Sequence, residues 1–117
     1  MQSLGIHHAS IMVSDTAAAL DFYVNTLGMV QRADRPDFGF PGAWLDCGAA
    51  QLHLIEGEVP THCGQHFALH VADLDAVVAE LRTGGVEVPD PRPVGSGRQT
   101  FVSDPSGNLV ELHQAVA

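Results

Sequence analysis

Two pairs of side chains able to bind a divalent cation stand at one common spacing. His8 and His66 are 58 positions apart, and so are His53 and Glu111. The surroundings repeat as well. His8-Ala-Ser-Ile-Met-Val-Ser-Asp15 matches His66-Phe-Ala-Leu-His-Val-Ala-Asp73, and Gln51-Leu-His53-Leu-Ile matches Leu109-Val-Glu111-Leu-His. One ungapped offset superimposes two strand patterns and two potential ligands, so the chain is read as two copies of one supersecondary unit. Two copies that each place one ligand pair are a route to a four-ligand site.

The elements follow the repeat. Residues 4–13 read as a strand, Asp15 as an N-cap, and 16–27 as a helix with an apolar stripe at Leu20, Tyr23, Val24 and Leu27, closed by Gly28. Extended structure at 29–33, a Gly/Pro-rich loop at 35–42 and a hairpin of 43–47 with 51–56 complete a β-α-β-β-β order. In the second copy, 66–71 is a strand, Asp73 a cap, and 74–83 a helix with Leu74, Val77, Val78 and Leu81 inward and Gly84-Gly85 at its end. A strand is expected at 86–88, a loop at 89–97, and a hairpin of 99–103 with 109–114 turning at Asp104-Pro-Ser-Gly107. The fold class expected is α+β: one domain over residues 1–117, with a first βαβββ module at 1–58, a short linker and a second module at 66–117.

Strand parity assigns the faces. His8 shares a face with Ser10 and Met12, and His66 with Ala68 and His70. His53 lies between Leu52 and Leu54, and Glu111 between Val110 and Leu112, so each ligand stands opposite an apolar row. The apolar rows are expected under the helices, leaving the ligand faces to line a concavity. His7, His62, His70 and His113 are read as structural or surface side chains.

Composition removes other classes of function. With a net charge of −9 and five cationic residues, all arginine, the chain has no basic patch for nucleic acid or for an anionic membrane. No apolar stretch approaches the ~20 residues that span a bilayer. The N-terminus has no basic segment leading into an apolar run, so no signal peptide is expected. Cys47 and Cys63 form no C-x-x-C pair and read as reduced thiols. Together these features give the expectation of a cytoplasmic protein.

Three histidines and a glutamate meeting at one point would hold one divalent ion. Imidazole suits Zn, Ni, Co and Fe, and the carboxylate keeps Mn in the set. His8, His66 and Glu111 alone are a 2-His-1-carboxylate set. Whether His53 is a fourth ligand or a pocket wall is open from sequence. A buried Glu111 needs a partner in any case, because an unpaired charge among apolar side chains is costly.

The chain resembles the vicinal oxygen chelate superfamily, the group of glyoxalase I, fosfomycin-resistance proteins, extradiol dioxygenases and bleomycin-resistance proteins. The markers are His8 seven residues before Asp15, Asp21-Phe-Tyr23 followed by Leu27-Gly28, His66 opening the second module, and Asp104-Pro-Ser-Gly-Asn108 leading into Leu109-Val-Glu111. The resemblance implies paired βαβββ modules curling into a cup around one divalent ion, often in a homodimer. It implies His8, His66 and Glu111 as ligands, with His53 where glyoxalase I carries a second Glu. On that basis the expected activity is a metal-dependent lyase or isomerase acting on a small substrate chelated through vicinal oxygens. Glu111 is expected as ligand and general base, His53 as the alternate base. Arg98 is the candidate for an anionic substrate group, and Phe38, Phe40 and Trp44 for the pocket wall. The alternatives are a fosfomycin-type metallothiol transferase, an Fe(II) extradiol dioxygenase, and a bleomycin-resistance-like protein that sequesters a ligand.

Overall fold

The computed structural model describes residues 1–61 and 63–115. His62 and the last two residues of the expected second module lie outside that range. The chain is α+β and divides into two compact units, Met1–Thr61 and His62–Ala117. Each contains a four-stranded mixed sheet. Among the described residues no helix is long and apolar enough to cross a membrane.

In the first unit, β1 (His8–Val13) leads into α1 (Thr16–Leu20), a π-helical segment (Asp21–Thr26), β2 (Val30–Gln31), β3 (Gly42–Cys47) and β4 (Ala50–Glu56). The sheet order is β1-β4-β3-β2, with β1 parallel to β4 and the other pairs antiparallel. The first strand is shorter than residues 4–13. The last ladder bond runs from Gln51 N–H to the His7 carbonyl, because β4 begins at the Gly48 turn and offers Leu4 and Ile6 no partner. The helix expected to Leu27 widens after Leu20, where Leu27 N–H reaches back five residues to the Phe22 carbonyl. Two neighbouring rings, Phe22 and Tyr23, are both buried along this wider turn.

The second unit repeats the plan: β5 (Phe67–His70), α2 (Leu74–Thr83), β6 (Arg92–Val94), β7 (Gly97–Ser103) and β8 (Leu109–Gln114), in the order β5-β8-β7-β6. Gly85, at φ 86, closes α2 with a Schellman arrangement in which Val86 N–H bonds the Leu81 carbonyl. The strand expected at 86–88 forms instead at 92–94. Val88 is buried as a core plug, its carbonyl is taken by the Arg82 guanidinium, and the Pro89 carbonyl by Thr100 Oγ1. With those acceptors used by side chains, no ladder forms there. Pro93 is tolerated in β6 because β6 is an edge strand.

The apolar rows pack under the helices as parity requires. Leu52 and Leu54 in the first unit, and Val110 and Leu112 in the second, are at most 2% exposed. The helix starts are fixed twice over. Asp15 and Asp73 cap them through Ala18 and Ala76 N–H. In addition, Glu56 Oε1 accepts from Thr16 N–H at 2.9 Å, and Gln114 Oε1 accepts from Leu74 N–H at 2.7 Å. Residues 56 and 114 are themselves one repeat apart, so the last residue of each central strand satisfies an orphan N–H of its helix.

This second cap predicts that Gln114→Ala lowers the free energy of unfolding by about 1 kcal/mol. Urea denaturation measures it, with Glu80→Ala on the exposed side of α2 as a control expected within about 0.5 kcal/mol of wild type. A Gln114→Ala effect no larger than the control would show that the side chain does not hold the helix.

Candidate metal and substrate site

The parallel pairings place the potential ligands. Ser10 pairs with His53 across β1 and β4, and Ala68 pairs with Glu111 across β5 and β8. His8 is two residues before Ser10 and His66 two before Ala68, so each unit holds its pair on one face in the same diagonal relation. Among the described residues no three His, Cys, Asp or Glu side chains gather as a metal-holding group. Each unit brings its own pair of candidate ligands together.

In the first unit the pair lies within a train of rings. His53 is sandwiched between His8, 4.0 Å away by ring centroids and 14° from parallel, and Trp44, at 4.5 Å and 11°. The Nδ1 atoms of His7 and His8 lie 2.9 Å apart, within hydrogen-bond distance. His53 Nε2–H donates to Gln51 Oε1 at 2.9 Å, which leaves Nδ1 as the lone-pair atom of the neutral ring. His53 is 9% exposed. Burial lowers its pKa below the ordinary histidine value, and the positive charge of His8, His7, Arg32 and Arg35 lowers it further. A neutral imidazole is the form that binds metals or accepts a proton.

Beside this stack is a cleft of about 160 Å³ lined by Ser10, Arg35, Phe38, Phe40, Trp44 and His53, among others. Phe38 and Phe40 stack at 5.6 Å, and Phe38 meets Trp44 at 6.1 Å. The three aromatic residues named from the sequence therefore share one wall.

In the second unit, His66 Nδ1–H donates to the Gly64 carbonyl at 2.9 Å, and His66 Nε2 lies 3.0 Å from Glu111 Oε1. A carbonyl only accepts, so the Nδ1 proton is fixed. A neutral His66 would then point a lone pair at a carboxylate. Something positive must lie between them: a proton on Nε2 or a cation. Without a metal it is the proton, and the Gly64 hydrogen bond, followed by Glu111, raises the His66 pKa above its ordinary value. Because the folded value is raised, the stabilisation from protonated His66 is complete below about pH 6.5 and fades as pH rises through the folded pKa.

Glu111 has a second partner. Its Oε2 accepts from His113 Nδ1–H at 3.0 Å. His113, read from sequence as structural, sits two residues along the same strand on the same face. The side chain of Glu111 is 12% exposed, and both its oxygens are committed. The period-two spacing of Glu111 and His113 was the signal available in the sequence.

Arg98 requires a correction. It pairs with Gln114 across β7 and β8, which puts it on the helix-covered face, opposite Glu111. There both its terminal nitrogens donate to Asp75 at 3.0 Å. Parity and the Asp75 clasp remove it from the ligand face. The arginine that does line a cleft with the aromatic wall is Arg35.

Fold and residues together define the family. The family model of the Glyoxalase/Bleomycin resistance protein/Dioxygenase superfamily matches residues 5–112, and the chain belongs to that superfamily. A "probable lactoylglutathione lyase" of Synechocystis sp. is 30% identical over 122 residues, covering 92% of each chain. The crystal structure of TnmS3, an antibiotic binding protein from Streptomyces sp. CB03234, matches with a TM-score of 0.82 at 31% identity over 99% of both chains. A glyoxalase family protein from Bacillus anthracis matches with a TM-score of 0.88 at 26% identity, over 99% of this chain and 98% of that one.

The opposed shifts predict an order of titration. In protein treated with chelator, NMR should show His53 titrating below about pH 6.5 and His66 above it. Glu111→Gln should bring His66 back toward that value. The reverse order would contradict the tautomers assigned above.

Proposed function

We propose that the protein is a divalent-metal-dependent lyase or isomerase of the glyoxalase type, acting on a small substrate through two neighbouring oxygens. The observation that carries this reading is the His66–Glu111 contact: a fixed Nδ1 proton, and an Nε2 turned toward a carboxylate 3.0 Å away. In this reading a divalent cation would take the place of the proton between them. In this reading His8 and His53 complete the ligand set, and the two pairs come from one chain or from two copies in a homodimer. The donors fit Zn, Ni, Co, Mn or Fe. The ion would supply Lewis acidity toward the substrate oxygens.

The chain's own residues supply the rest. Glu111 is the general base for a proton next to the chelated oxygens. His113 holds the second carboxylate oxygen and so sets the direction of the first. His53, neutral and with its lone pair on Nδ1, is the alternate base or fourth ligand. Phe38, Phe40 and Trp44 form an apolar wall that excludes water and orients the substrate. The Synechocystis relative, whose name is that of a lyase, supports the reaction class.

A second reading has its own support. TnmS3 is an antibiotic binding protein, and the aromatic cleft suits ligand capture as well as catalysis. Metal separates the two. The enzyme reading predicts about one divalent ion per site by elemental analysis, with His66→Ala and Glu111→Gln abolishing tight binding by calorimetry. His113→Ala should cost about 10–100-fold in metal affinity or activity. If His53 is a ligand, His53→Ala should weaken binding as much as His8→Ala; unchanged affinity would leave it on the wall. Turnover is sought among α-keto aldehyde–thiol adducts, fosfomycin with thiols, and catechols. With a substrate in hand, Glu111→Gln should abolish turnover while sparing the fold. Protein that neither carries nor binds Zn, Ni, Co, Mn or Fe would leave the ligand-capturing reading in its place.

A further inference from the structure

The cleft of the first unit contains a cation that the catalytic reading does not use. Of the five arginines, Arg32, Arg82 and Arg98 are held by aspartates. Arg35 has no acid partner among the described residues, in a chain whose net charge is −9. Its Nη2 donates to the Phe40 carbonyl at 3.0 Å. Its Nε is buried with no hydrogen-bond partner. A buried donor on a charged group is unfavourable unless an acceptor arrives.

The surroundings hold this cation in place. Its central carbon lies 5.1 Å from the Phe38 ring centroid and 5.4 Å from that of Phe40, within cation–π range. Gly42 makes room for it. A Cβ there would collide with the Leu54 carbonyl and stand 2.9 Å from Arg35 Nη2. A guanidinium grips a carboxylate with both oxygens through either of two edges, Nε with Nη2 or Nη1 with Nη2. The cleft, about 160 Å³, is on the scale of a cavity that takes one benzene-sized ring.

We propose that this cleft is a receptor for a small planar aromatic carboxylate, gripped by Arg35 and lodged among Phe38, Phe40 and Trp44. Binding itself involves residues of the first unit alone and needs no metal. Only its consequence, that the substrate of a metal-dependent reaction carries such a carboxylate, rests on the function proposed above.

Trp44 is the single tryptophan of the chain and reports on its own cleft. The full-length protein, treated with chelator, is titrated with benzoate, benzamide and inorganic phosphate while its fluorescence is followed. Benzoate is expected to bind at least about 10-fold more tightly than benzamide, the difference being the charged bonds to Arg35. Arg35→Gln should weaken benzoate about 10-fold or more and leave benzamide unchanged. Should Arg35→Gln fail to fold, Arg35→Lys keeps the charge without the planar edge, and its selectivity for benzoate should fall. Equal affinity for benzoate and benzamide, indifference of benzoate to either substitution, or phosphate binding as tightly as benzoate would overturn the proposal. Loss of metal binding with this selectivity intact would count against the catalytic reading and not against the receptor.

Discussion

The parallel pairing of the first and last strands of each unit is the constraint on which the rest depends. It sets β4 beside β1 and β8 beside β5 in equivalent registers, so one diagonal relation serves both pairs of candidate ligands. A slip of one residue would turn every side chain to the opposite face. That slip is prevented from the other side of the sheet. Leu52, Leu54, Val110 and Leu112 are buried against their helices, and Glu56 and Gln114 tie the ends of the same strands to the first N–H groups of those helices. Hydrophobic burial on one face thus fixes the position of polar chemistry on the other.

On that shared frame the two units have diverged. The first carries stacked rings, a neutral buried histidine and an apolar cleft with one unpaired cation. The second carries a carboxylate whose oxygens are both bound by imidazoles, one of them locked in tautomer by a backbone carbonyl. The difference arises from single positions. His53 and Glu111 are equivalent in the repeat but different in chemistry, an imidazole and a carboxylate, and Gln51 and His113 are the neighbours two residues away that complete each one's hydrogen bonding. Duplication followed by exchange of a few side chains is enough to separate an aromatic cleft from a charged pair.

Much of this was legible in the chain. The 58-residue offset gave the two βαβββ units, the caps at Asp15 and Asp73, the extents of α2 and β8, and the face of each potential ligand. What escaped it depended on partners distant in sequence. Val86-Glu-Val88 has strand-like composition, but Arg82 and Thr100 take the carbonyls of Val88 and Pro89, so the edge strand forms three residues past Pro89. Glu56 and Gln114 look like ordinary strand ends until the helix N-termini are placed beside them. Arg98 and Arg35 are alike as letters. Parity puts the first against Asp75 behind the sheet, while a loop residue such as Arg35 has no periodicity from which its direction could be read.

The central proposal is that His8, His53, His66 and Glu111, from one chain or from two copies, bind one ion. Anomalous diffraction at the absorption edge of an added transition metal, from crystals of the metal-loaded protein, tests it most directly. The account predicts a single strong peak per site within bonding distance of His8, His66 and Glu111, with His53 either bound to it or adjacent. A peak elsewhere, or none at these side chains in a structure that includes every neighbouring copy, would contradict it.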